Sequence, residues 1–210
     1  MSTVSTMKYN KLPIKEVIYR TMEAVKSRGI TVEFVNTKGD ALKRLKELIP
    51  VGAGVMTGGS TTLDQIGFVD LLKSGDHPWK NLKDEILAEK DPVKQMELRR
   101  KSVTAGYFVG SVHAVVETGE ILVASASGSQ IPSYVFSSDN VIWIVGAQKI
   151  VPTLEEGFRR VREYSFPLED RRMKSIGYSG STIGKILLFE REINPNRRVT
   201  LVFVNENLGF

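Results

Sequence analysis

Residues 141–145 read Val-Ile-Trp-Ile-Val, five apolar side chains in a row. A strand with one wetted face alternates polar and apolar residues. The unbroken run therefore predicts a strand buried on both sides, central in a sheet that is covered on each face. The surrounding pattern agrees. Residues 30–35 alternate with period two, and further strands are expected near 54–56, 111–117, 120–125, 185–189 and 199–204, with a tight turn at Thr118-Gly119. Between them apolar residues recur at helical spacing: Ile14, Val17, Ile18, Met22 and Val25, then Leu42, Leu45, Leu48 and Ile49, then Leu63, Ile66, Val69 and Leu72. Asp91-Pro92 predicts a helix start, a capping side chain followed by proline at the first helical position. Pro152-Thr-Leu-Glu-Glu156 reads as a capping box, with Glu156 reaching back to Thr153, ahead of a helix to about Phe166. A short helical segment is expected near 132–137, and residues 75–90, around His77-Pro-Trp79, read as an excursion over the surface. Strands alternating with helices predict a layered α/β/α fold with a largely parallel central sheet. No repeat or linker divides the chain, so residues 1–210 are expected to form one domain, with 1–10 a flexible N-terminus.

Composition bounds the function. With 210 residues, 41% hydrophobic and 25% charged, the chain has the makeup of an ordinary globular domain. At this length about 70% of the unfolded surface is buried on folding. Cysteine is absent, which excludes a thiol nucleophile, a Cys-bound zinc and a Cys-ligated iron–sulfur cluster inside this chain. The longest apolar runs fall far short of the ~20 residues a membrane helix needs, and the N-terminus lacks a signal-peptide layout. A cytoplasmic protein without a membrane partner is expected. Net charge is +5, from 29 basic and 24 acidic residues. One basic concentration, Arg159, Arg160, Arg162, Arg171, Arg172 and Lys174, is diluted by Glu163, Glu169 and Asp170. It reads as a solvated helix face or an anion site, and nucleic acid is not an expected partner.

Four loops that follow strands could carry chemistry. In Thr57-Gly-Gly-Ser-Thr-Thr62 a strand ends in two glycines and three hydroxyl residues, and a helix begins at once. Backbone N–H groups at such a start bind an anion, Gly58 and Gly59 permit close approach, and Ser60, Thr61 and Thr62 add donors. The same hydroxyls would also serve as plain helix caps; Thr62 and Gln65 have capping-box spacing. Neither a Walker A motif nor a dinucleotide fingerprint is present. In Gly110-Ser-Val-His-Ala-Val-Val-Glu-Thr-Gly-Glu120, His113, Val115 and Glu117 share one face of an extended chain. Glu117 at a strand end could act as general base or nucleophile, or simply accept hydrogen bonds from the adjacent turn at Gly119. His113 reads as an interior or interface histidine before a catalytic one. Ser127, Gly128, Ser129 and Gln130 repeat the anion-cradle pattern after a strand. No Gly-x-Ser-x-Gly elbow points to a serine hydrolase. Lys149, after the buried strand, could reach an anion held at that strand's end or face water. With two histidines in the chain, no histidine-based metal site is expected.

These motifs in order, continued through Val141-Ile-Trp-Ile-Val-Gly-Ala-Gln-Lys-Ile-Val-Pro152, resemble the LUD domain, named for lactate utilisation. Among LUD proteins the chain is most similar to the stand-alone, cysteine-free group of LutC-like size. The resemblance implies the α/β architecture of the NagB/RpiA/CoA-transferase-like superfamily. There a Gly/Ser/Thr loop after an early strand binds phosphate, which falls here on residues 58–62. It also implies that Glu117 corresponds to the glutamate that forms a thioester in CoA transferases, although Glu117-Thr-Gly replaces the transferases' Glu-Asn-Gly or Glu-Gly. LutC-like proteins are implicated, with two partners, in oxidising L-lactate to pyruvate, and cysteine-rich partners carry the electron-transfer centres. The resemblance thus implies a non-redox accessory or ligand-binding component of lactate or organic-acid utilisation. The alternative is a free-standing enzyme acting on a phosphorylated or CoA-linked metabolite, and whether the chain is catalytic stays open at this point. Expected partners are a small anionic metabolite, iron–sulfur oxidoreductase subunits and further copies of the chain, since Trp143 and residues 105–117 offer more apolar surface than one layer covers. The expected ligand carries phosphate or CoA, and no covalently bound cofactor is expected.

Overall fold

In the computed structural model, which describes residues 8–210, the strands in chain order are β1 (Thr31–Val35), β2 (Gly54–Thr57), β3 (Lys80–Asn81), β4 (Tyr107–Gly110), β5 (Ala114–Val116), β6 (Ile121–Ser125), β7 (Asn140–Gly146), β8 (Ile150–Val151), β9 (Lys185–Phe189) and β10 (Arg198–Val204). The helices are α1 (Lys15–Lys26), α2 (Lys38–Leu48), α3 (Thr61–Gln65), α4 (Phe68–Ser74), α5 (Leu82–Ala88), α6 (Pro92–Lys101), α7 (Leu154–Arg160) and α8 (Phe166–Ser175). Strands β1, β10, β7, β4, β2 and β3 lie side by side in that order, every pair parallel.

The unbroken apolar run lies in β7, between β10 and β4, as its composition requires. Val141, Trp143 and Val145 enter one core with Ile18, Met22 and Val25 of α1. Ile142 and Ile144 enter a second core with Leu45 of α2, Leu63 of α3, and Phe68 and Leu72 of α4. Two-residue periodicity thus sends alternate side chains to opposite layers, and the fold is a layered α/β/α arrangement. Trp143 is fully enclosed, with Tyr134 and Phe189 edge-on at 5.4 and 5.3 Å. Trp143 itself therefore offers no surface to a second copy.

A second sheet, ordered β8-β5-β6-β9, completes the layer that holds α1. Its β5–β6 hairpin turns at Gly119, whose φ of +100° favours glycine. The other face of this sheet buries Ala114, Val116 and Leu122 with Leu154 and Phe158 of α7.

Several elements depart from the sequence pattern. The strand expected over 111–117 is two strands in different sheets: β4 ends at Gly110, β5 begins at Ala114, and residues 111–113 cross between them. The expected surface excursion contributes the edge strand β3 and a buried Trp79, whose indole N–H donates to the Ile49 carbonyl at 3.1 Å. Thr153 caps α7 as expected, but the Glu156 carboxylate accepts from Tyr9 and pairs with Lys8 rather than closing the box. That contact buries Tyr9 against Tyr164, with Lys8 and Asn10 exposed on either side; residues 1–7 of the expected flexible N-terminus lie outside the described residues. The helix expected to end near Phe166 runs on through a π-helical turn, Val161–Ser165, into α8. Such turns are frequent beside functional sites.

Candidate functional site

In an open parallel sheet, ligands bind beyond the carboxyl ends of the strands, where the connections diverge. Here a cavity of about 300 Å³ occupies that edge. Residues 58–62 after β2, 110–113 after β4, Lys149 after β7 and Gly209 and Phe210 after β10 all line it, and Ser127 and Gln130 close it from the small sheet. Ser165 in the π-turn and the Glu169–Arg172 pair of α8 form its outer wall.

Lys149 lies at the cavity floor, almost wholly buried. Its Nζ donates to Thr62 Oγ1 at 3.0 Å, Ser111 Oγ at 3.1 Å and the Val112 carbonyl at 3.0 Å. Thr62 gives its own proton to the Leu208 carbonyl at 3.4 Å and Ser111 to the Ile144 carbonyl at 2.7 Å, so both hydroxyls meet the amine as acceptors. Three acceptors match the three N–H bonds of an ammonium. Among the described residues no carboxylate pairs with it. Burial, and then the Arg160 guanidinium, hold the Lys149 pKa well below that of a free lysine.

Arg160 is fully buried behind the 111–113 crossing. It donates to the His113 carbonyl and to Ser165 Oγ, lies 5.1 Å from the Tyr164 ring and 5.7 Å from that of Tyr9, and its Nε and Nη2 have no hydrogen-bond partner among the described residues. Burial lowers its pKa to about 10. The His113 ring lines the cavity, and its Nδ1 accepts from the Ala124 N–H at 3.1 Å. Burial, then Lys149 and Arg160, push its pKa down to about 3. Glu169, the one acidic side chain among the described residues on the cavity wall, is held bidentately by Arg172 at 2.7 Å twice. The cavity therefore presents hydrogen-bond donors in a positive field, an arrangement that favours an anion.

A smaller cavity of about 210 Å³ adjoins it, sharing Gly58, Gly59 and Gln130. Thr57 and Ser129 line this second space with Lys83 and Arg99. A Cβ on Gly58 would sit 2.3 Å from the Gln130 Oε1, so glycine there lets Gln130 close the partition.

Thr57, Gly58, Gly59, Ser60, Thr61, Thr62, Ser127, Ser129, Gln130 and Lys149, read from sequence as anion-binding, thus gather around two adjoining cavities. Ser60, not Thr62, caps α3, accepting from the Leu63 N–H at 3.3 Å, while Gln65 accepts from the Gly209 N–H at 2.6 Å. Gly128, with φ +85°, packs against Lys185 instead of lining either space. Glu117 and Gly119 are elsewhere. Glu117 pairs with Arg20 of α1, and Gly119 packs on Ala24 and Arg28. The reason is topological: β5 belongs to the second sheet and meets the cavity at its amino end, at His113. At ~3.3 Å per residue, Glu117 is carried about 13 Å away. Ser165, Gly209 and Phe210 are site residues that no motif marks, whereas Ser111 falls within the 110–120 motif and Arg160 and Arg172 within the basic concentration. The basic concentration at 159–174 is largely spent internally: Arg159 pairs with Glu155 and Glu156, Arg172 with Glu169 and Lys174 with Asp170.

Fold and site together define a parallel α/β domain with a donor-lined cavity at the carboxyl edge of its sheet. The chain belongs to the LUD domain family, whose profile matches residues 18–204, and the family is associated with lactate utilisation. A crystal structure of a DUF162 family protein from Deinococcus radiodurans is similar, with a TM-score of 0.52 and 13% identity, covering 93% of this chain and 100% of that one. At that identity the likeness is one of fold. Among curated proteins none matches the chain. No helix among the described residues is long and apolar enough to cross a membrane.

Proposed function

We propose that the protein binds a small organic anion in the larger cavity and serves as a non-redox component of lactate or related organic-acid utilisation. The observation that carries this reading is Lys149: a buried amine with three neutral acceptors and, among the described residues, no carboxylate partner. An unpaired buried charge is costly, and a carboxylate entering beside it lowers that cost. Thr62 and Ser111, whose own protons go to the Leu208 and Ile144 carbonyls, hold the amine in place, and the His113 ring lines the cavity nearby. Because the sequence holds no cysteine, electrons from the oxidation would pass to an iron–sulfur oxidoreductase partner in the cytoplasm.

A second reading is favoured by the adjoining cavity. Lys83 and Arg99 across the Gly58–Gly59 partition would suit a phosphorylated or CoA-linked metabolite handled by a free-standing enzyme of NagB/RpiA/CoA-transferase type. Thermal shift separates the two. A ligand at 100 times its Kd adds about 2.7 kcal/mol, or roughly 5–10 °C for a chain of this size. Lactate or pyruvate is expected to raise Tm, with the shift lost in Lys149→Met. A shift confined to sugar phosphates or CoA and abolished by Gly59→Val, whose Cβ meets no protein atom, would support the second reading instead. No shift with any of them would refute both.

A further inference from the structure

We infer that His113 is a fixed, neutral hydrogen-bond donor that requires the bound anion to carry a second acceptor, a carbonyl or hydroxyl oxygen, beside its charged group. The inference rests on the anion-binding reading above and adds to it the chemistry of the ligand's neighbouring atom.

Three bonds clamp His113. Its backbone N–H donates to the Leu122 carbonyl at 2.9 Å, its carbonyl accepts from Arg160, and its ring Nδ1 accepts from the Ala124 N–H at 3.1 Å. A nitrogen that accepts a backbone N–H carries no proton, so the ring proton of the neutral imidazole resides on Nε2. Adding a second proton would break the bond to Ala124 and set two N–H groups face to face. The charged groups around the ring oppose a second proton as well. From the loop after β7 comes Lys149, from α7 comes Arg160, and from α8 come Arg172 and Glu169, already bonded to each other. Nε2 has no protein partner among the described residues, and the ring lines the cavity. His113 therefore cannot take a proton from a ligand as a general base. It can only donate, and a site with a fixed donor discriminates against a ligand lacking the matching acceptor. Arg160 is a positioning residue in this scheme, because it holds the backbone that aims the ring.

With two histidines in the chain, nitrogen-15 NMR of the imidazoles is directly readable once His77 is replaced by glutamine. The wild-type His113 ring is expected to show the Nε2–H tautomer at pH 8 and to keep it at pH 5. Titration between those values, or a proton on Nδ1, would overturn the inference without any ligand present. The second arm compares pyruvate with propanoate, which lacks only the oxo oxygen. Pyruvate is expected to bind roughly 5–10-fold more tightly, the usual worth of one hydrogen bond. That ratio should fall to about one in His113→Phe. Equal binding of the two acids by the wild type would overturn the inference alone. Binding of neither would refute the anion reading and the inference with it. If His113→Phe does not fold, the tautomer and the wild-type ratio still decide.

Discussion

Replacing Lys149 by methionine removes the charge while keeping an unbranched side chain of similar length. In a protein that used this lysine only for stability, the ammonium would have a buried counter-charge, and breaking such a pair costs about 3–5 kcal/mol. Here its acceptors are neutral. Thr62 and Ser111 keep their donor bonds to Leu208 and Ile144 when the amine goes, so only the Val112 carbonyl is left short, at about 1–3 kcal/mol. Relief of the buried charge offsets that loss. The expected net cost without ligand at pH 7.5 is no more than about 2 kcal/mol, a fall in Tm of under about 8 °C. The pH dependence has a definite sign. Burial lowers the Lys149 pKa in the folded chain, so just below pH 10.5 the unfolded chain holds more protons and wild-type stability rises with pH. The methionine variant lacks that gain, so from pH 7.5 to 9.5 the wild type should improve relative to it. Thermal unfolding at both pH values, with and without pyruvate, measures all three quantities. A Tm fall of about 12 °C or more, or a pyruvate-induced shift that survives the substitution, would refute the argument that the ammonium awaits an anion.

Other perturbations separate site from scaffold. Glu117→Gln removes a surface pair with Arg20 and should cost at most ~1 kcal/mol while leaving any pyruvate-induced Tm shift intact; loss of that shift would return Glu117 to the site. Arg197→Met should be far more damaging. Arg197 is buried, pairs with Glu192 and donates to the Ser133, Tyr134 and Ser138 carbonyls at 2.8, 2.6 and 2.9 Å. A loss of about 3–5 kcal/mol is expected in urea unfolding, and a loss below ~1 kcal/mol would contradict the packing described. In acid, His113 folds neutral with a pKa of about 3, while the unfolded chain protonates near 6.5. Its stability contribution is complete above pH 6.5 and drains at about 1.4 kcal/mol per pH unit as the pH falls toward 3. Urea midpoints for His113→Phe should therefore fall less between pH 7 and 5 than those of the wild type.

Sequence alone determined much of this protein, wherever a local pattern carries the physics. An apolar run such as 141–145 has only a doubly covered strand to occupy, and Asp91-Pro92 can hardly do other than start a helix, which α6 does. The glycine and hydroxyl loops after strands were legible for the same reason, since close backbone approach and cap chemistry are properties of short segments. What only the tertiary structure decided was which strand ends share an edge. Residues 111–117 read as one strand because alternation says nothing about a change of sheet at Ser111–His113 in mid-run. That change brings His113 into the cavity and takes Glu117 out of it. Arg160 looked like one more surface arginine until α7 packed it behind the crossing. Lys149 acquired its character from a burial that depends on Thr62, Ser111 and Leu208 arriving from three distant parts of the chain. Charge and hydrogen-bonding capacity are written in a residue, but the dielectric around it and the partners left to it are set by long-range packing.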